Sequence, residues 1–150
     1  MSRVHADVIV DAPIELVFAR YAQYERHPEW QSGLLRAELT SGSPVVPGTR
    51  GIEVRRVFGQ EKSLPYVITD HVPPHRSAFR TLEGPLCPTG TASFTAQDGA
   101  TLMEFEMALG ARGVLRLLSP LLVPLFAKQI RADLVRFKVW VEAEVRHDGS

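Results

Sequence analysis

Asp11–Trp30, DAPIELVFARYAQYERHPEW, decides the fold. It follows directly on an alternating run in which Val4, Ala6, Val8 and Val10 are interleaved with His5, Asp7, Ile9 and Asp11, the period-two pattern of a half-buried strand. Inside the stretch the spacing changes. Ile14, Val17, Phe18 and Tyr21 fall at i, i+3, i+4 and i+7, one face of a helix. Asp11 or Ala12 is the expected N-cap, and Pro13 suits the first turn because its missing N–H is not needed there. Pro28 forbids helical continuation, so a second helical piece around Tyr24–His27 must be short.

Outward from this stretch, residues 34–109 read as strands separated by turn signals. Leu35, Ala37 and Leu39 alternate up to SGSPVVPG, and Ile52, Val54 and Phe58 alternate up to Gly59. Strands are expected around Tyr66–His71 and Ser77–Leu82. Thr91–Ala96 and Leu102–Leu109 flank QDGA, a hairpin turn with glycine available for positive φ. Met103, Phe105, Met107 and Leu109 alternate with Glu104 and Glu106, so one sheet face is wet.

After GARG, residues 114–145 contain no glycine. Leu115, Leu118, Leu122, Phe126, Ile130, Leu134, Phe137, Val141 and Val145 form a helical stripe. At ~1.5 Å per residue such a helix is on the order of 45–50 Å long and crosses a whole domain. Pro120 and Pro124 are expected to kink or break its first third.

The expected fold is therefore α+β: a curved antiparallel sheet of six to seven strands around a long C-terminal helix, with two short helices after the first strand. A strongly twisted sheet curls, and one helix laid in its hollow seals only part of the concave face, leaving a cavity closed at one end by the short helices.

The size of 150 residues suits one domain over 1–150, and 45% hydrophobic with 23% charged residues is a globular balance. Zero formal net charge and scattered arginines give no global electrostatic case for nucleic acid or an anionic membrane. The longest apolar stretch, 114–127, is broken by Arg116, Ser119, Pro120 and Pro124 and is shorter than the roughly 18 residues a membrane span needs. MSRVHADVIV lacks the apolar core of a signal peptide, so the expected location is cytoplasmic. Cys87 is the only cysteine, which excludes an internal disulfide and disfavours a thiolate metal site.

The same residues carry a family resemblance. DAPIELVFARYAQYERHPEW, PGTRG at 47–51, VITDHVPPHR at 67–76, PTGTASFTAQDGATLMEFEMAL and the closing GVLRLLSPLLVPLFAKQIRADLVRFKVWVE together resemble the SRPBCC superfamily, which includes START domains and polyketide cyclases. The likeness spans nearly the whole chain and lies closest to the polyketide cyclase/dehydratase-like branch. It implies the helix-grip fold and a pocket and leaves the reaction open; no cofactor is expected.

Candidate cavity residues follow from the alternation. Tyr21 or Tyr24 and Trp30 either line one end or plug the helices onto the sheet. Phe94, Phe105 and Met107 are expected to face Leu118, Leu122 and Phe126 across the hollow. Arg56 interrupts the Ile52/Val54 face and Arg80 sits between Ala78 and Leu82; each either offers a fork of donors to a ligand oxygen or snorkels to the rim. Glu53, Glu104 and Glu106 are expected on the wet face.

His71 and His75 are spaced for a metal only on a helix, which VPP between them excludes. His71 retains a possible general-base role. No catalytic set is legible. The expectation is binding of a hydrophobic or aromatic small molecule, lipid or polyketide-like, by a monomer or homodimer; the alternative is a cyclase or dehydratase using the same cavity. LLSPLLVPLF at 117–126 is a buried kink, a dimer patch or a cavity gate.

Overall fold

The computed structural model describes residues 3–42, 44–57, 59–84 and 86–148. Seven strands, β1 (Arg3–Val10), β2 (Leu34–Leu39), β3 (Arg50–Val57), β4 (Gln60–Val72), β5 (Arg76–Thr81), β6 (Thr89–Gln97) and β7 (Ala100–Ala108), form one antiparallel sheet in the order β1-β7-β6-β5-β4-β3-β2. Helix α1 (Ile14–Tyr21) and a 3₁₀ helix (Tyr24–Glu29) follow β1, and α2 (Val114–Asp148) closes the chain. This is the expected α+β helix-grip architecture.

The opening stretch folds much as its spacing dictates. Helix α1 buries Ile14, Val17, Phe18 and Tyr21. Its cap differs from expectation: Pro13, extended at φ −66° and ψ 149°, is the N-cap, and no side chain caps the turn. Asp11 contributes its backbone amide instead, donating 2.7 Å to the Glu142 carboxylate of α2. The Pro13 carbonyl accepts from Leu16 and Val17. The 3₁₀ helix accommodates Pro28 and ends at Trp30, whose amide donates to the His27 carbonyl.

The hairpin at QDGA turns on Asp98 (φ 49°) and Gly99 (φ 86°), the positive pair that a two-residue turn of this hand requires. On β7, Thr101, Met103, Phe105, Met107 and Leu109 face the core side, while Arg3–Glu106 and His5–Glu104 contacts line the outer side.

Two strands depart from the expected phase. A register shift between Leu34 and Arg36 puts Leu34, not Leu35, on the inner face. On β3, Gly51, Glu53, Arg55 and Val57 point inward, while Ile52 and Val54 lie in an outer groove with Pro28, Leu35 and Ala37. The outer face gives these two aliphatics partial cover, so their burial does not report the core side. Phe58, expected on the same face, lies outside the described residues.

Helix α2 runs unbroken through Pro120 and Pro124, so the expected break is absent. Leu134, Phe137 and Val141 are buried against the sheet. Leu118, counted in the inward stripe, is 39% exposed and points away. No helix among the described residues is long and apolar enough to cross a membrane.

Candidate functional site: a cavity with one polar wall

Between the sheet and α2 lies a cavity of about 760 Å³. Phe79, Phe105, Met107 and Leu109 form its sheet wall, and Leu122, Phe126, Ile130 and Leu134 its helix wall. Gly90 makes the sheet wall possible, because a Cβ there would stand 2.4 Å from the Phe79 ring. The same holds at Gly51, over which the Tyr66 ring lies; a Cβ would meet it at 2.4 Å. Exposed Gln60, Lys62, Glu83 and Leu125 mark the mouth.

The inner end is the plate built by the opening stretch. Tyr21 stands at its centre, with ring centroids 5.6 Å from Tyr24, 5.0 Å from His27, 6.1 Å from Trp30 and 6.1 Å from Phe137. The Trp30 Nε1–H is buried with no protein partner. An unpaired buried donor is costly, and this residue borders the cavity.

A continuous hydrogen-bonded chain crosses the plate to β3. His27 Nε2–H donates 2.7 Å to the Tyr21 carbonyl, which fixes the tautomer and leaves Nδ1 to accept from the Gln31 amide at 3.2 Å. The Gln31 carbonyl accepts from Arg55 Nη2, and Arg55 Nε donates 3.0 Å to Glu53. The Gln31 amide already donates to His27 Nδ1, so a proton there would oppose it. Burial lowers the His27 pKa to about 4. Arg55 Nη1 has no protein acceptor among the described residues, leaving donors available at the wall.

A second chain begins at Tyr24. Its hydroxyl lies 2.6 Å from Ser77 Oγ, which is 2.9 Å from His71 Nδ1. Ser77 is fully buried, whereas His71 is half-buried at the end of β4 and packs on Phe18 at 5.2 Å. Burial raises the Tyr24 pKa to about 12 and pushes Tyr21 and Tyr66 up as well, so all three stay protonated. Ser77→Ala should cost about 1–3 kcal/mol in a urea melt, because it strips the hydrogen bond from a buried phenol as well as from His71.

Of the residues expected at the cavity, Tyr21, Trp30, Arg56, Phe105, Met107, Leu122 and Phe126 line it. Phe94 does not: it is buried beyond the plate, packed edge-on against Phe18 at 5.4 Å. Leu118 faces outward. Arg80 is exposed on the outer face, since Phe79 and Thr81 take the inward positions on β5. Arg56 lines the cavity only at its edge, with an exposed side chain and an amide that donates to the Gly33 carbonyl. Glu53, expected on the wet face, is on the cavity wall. The expectation missed His27, Gln31, Arg55 and Tyr66. One signal was present: Glu53 and Arg55 are two apart on a strand and therefore share a face as an ion pair. Among the described residues no group of His, Cys, Asp or Glu is arranged to hold a metal.

The family model for "Polyketide cyclase / dehydrase and lipid transport" matches residues 1–142. The chain belongs to this family. A relative from Streptomyces lincolnensis, an uncharacterised 17.2 kDa protein in the melC2–rnhH intergenic region, is 26% identical over 151 aligned residues, all of this chain and 96% of its own. Among solved structures, the Zhui aromatase/cyclase of Streptomyces sp. R1128 superposes with a TM-score of 0.79 at 18% identity, over 99% of this chain and 98% of its own. TTHA0849 of Thermus thermophilus reaches 0.81 at 18% identity, over 95% and 99%. At these identities the two structures show that the helix-grip fold is shared.

Proposed function

We propose that this family member binds an apolar, ring-bearing small molecule in the cavity and orients it through an anionic or enolisable oxygen at Arg55. The observation that carries this reading is the placement of an arginine with unused donors on an otherwise mainly apolar wall. Glu53 and Gln31 hold the guanidinium in place, so little side-chain entropy remains to be lost on binding. Tyr24 and Tyr66, both protonated, border the same space as neutral donors.

A second reading, a cyclase or dehydratase, is favoured by the Tyr24–Ser77–His71 chain. It would let a proton leave the cavity wall for a half-exposed imidazole while Arg55 stabilises an enolate.

The test is a titration with 1-anilinonaphthalene-8-sulfonate, an aromatic anion. Arg55→Met should weaken binding by about 10–100-fold, the worth of a charge-assisted hydrogen bond. Leu122→Trp should block binding by filling the hollow. Equal affinity in Arg55→Met and the parent would remove Arg55 from the site. Turnover of a poly-β-ketone that is lost in Ser77→Ala, with probe binding intact, would select the enzymatic reading.

A further inference from the structure

The first third of α2 presents a ridge that the cavity does not use. Leu117, Leu121 and Leu125 are 82%, 70% and 66% exposed, and their spacing of four stacks them along one face. Val114 and Leu118, also exposed, widen the ridge. It runs to the cavity mouth, where Leu125 is part of the rim.

The charge around it is one-sided. From Met107 to Ala132 the chain has four cations, Arg112, Arg116, Lys128 and Arg131, and no Asp or Glu. A neutral chain thus concentrates a surplus of four positive charges on this segment. All four are exposed, and none is ion-paired among the described residues. Lys128, seven residues after Leu121, continues the ridge on the next turn. Among the exposed residues that line the mouth, Glu83 is the only acid.

We propose that this ridge docks on an anionic phospholipid surface, with the leucines entering the acyl boundary and the cations meeting the headgroups. An apolar helix face bordered by Arg and Lys is the composition that binds in a bilayer interface. A second copy of the chain fits worse. A two-fold interface is self-complementary, so it would set these cations against their own copies with no acid in the segment to pair them. Docking this way turns the cavity mouth toward the lipid. The docking itself does not depend on what the cavity binds.

Co-sedimentation with vesicles tests it. The protein should pellet with phosphatidylcholine vesicles containing phosphatidylglycerol, weakly with phosphatidylcholine alone, and less as salt rises. Leu117→Ser with Leu121→Ser should lower partitioning about a hundredfold by removing two buried leucines. Lys128→Glu with Arg131→Glu should abolish the preference for anionic lipid. Both double variants alter exposed positions outside the probe site, so their thermal melts and anilinonaphthalene sulfonate binding should match the parent. If the cavity reading alone fails, probe binding is absent in every form while vesicle binding persists. Equal pelleting with and without phosphatidylglycerol, or none, would overturn the proposal. So would a dimer in light scattering that Leu121→Ser returns to monomer, since the ridge would then be a self-interface.

Discussion

Phe137→Ala is expected to lose about 3–5 kcal/mol of stability in urea denaturation, the range for deleting a large buried aromatic. Phe137 is fully buried on the inner face of α2. Its ring stands 4.9 Å from Trp30 and 6.1 Å from Tyr21, so it braces the inner plate of the cavity from the helix side. Deleting it removes both the transfer free energy and those aromatic contacts. The void would lie against Trp30 and Tyr21, two rings that already border the cavity, so little packing is available to close it, which puts the cost toward the top of the range. Val139→Ala, two residues on at a 56% exposed position, should stay within about 0.5 kcal/mol. A Phe137→Ala loss as small as that of the exposed control would mean that the plate is held from elsewhere. Probe affinity should change with Phe137 and not with Val139, because Trp30 and Tyr21 belong to the cavity lining.

Lowering the pH from 6.5 to 4 is expected to remove about 3 kcal/mol through His27. In the unfolded chain this imidazole takes a proton near 6.5; in the folded protein burial holds it neutral down to about 4. The unfolded state therefore binds more protons throughout that interval. Stability is fully present above 6.5, falls across the interval and levels off below it. His71, half-buried and also lowered by burial, adds to the same slope. Asp133 works against it, since burial raises its carboxyl and favours the folded state as acid is added. Glu29 and Asp70, lowered by their arginine partners, extend the loss below the carboxylate range. So does Glu142, which Lys138 and the Asp11 amide hold down against its burial. Urea melts at several pH values should show His27→Gln losing most of the slope between 6.5 and 4. An unchanged slope would assign it to other groups.

The architecture was legible because its signals are local. The change of period between Val10 and Ile14, the stop at Pro28 and the Asp98–Gly99 turn are each set by a few neighbouring residues. The cavity was half legible. Apolar alternation found Phe105 and Met107 on β7, where the outer face carries glutamates and the contrast is sharp. It failed on β3, where Ile52 and Val54 are covered from outside and the inner positions are the charged Glu53 and Arg55. A polar wall inverts the rule that alternation relies on, because a hydrogen-bonded ion pair takes the place of aliphatic burial. Arg56 and Arg80 each had two readings, a fork toward the ligand or a place at the rim; Arg56 is exposed at the cavity edge and Arg80 lies on the outer face. Leu118 misled in the opposite way, as a leucine of the helical stripe that stays outside the cavity lining and 39% exposed.

The fastenings of α2 are unevenly spread. Arg20 and Arg26 reach Glu144, the Asp11 amide reaches Glu142, Lys138 reaches the Ile9 carbonyl, and Ser32 binds Asp133 and Gln129. These bonds fasten the rod from residue 129 onward, while its first part is held by the Leu86–Ala111 bridge just before it and by the burial of Ser119 and Leu122. Its prolines sit in that first part, where two N–H donors are absent from the helix ladder. Polar fastening and apolar packing are thus divided along one helix, with the bonded part holding the inner wall at Leu134 and Phe137 and the first part set on the cavity by Leu122 and Phe126.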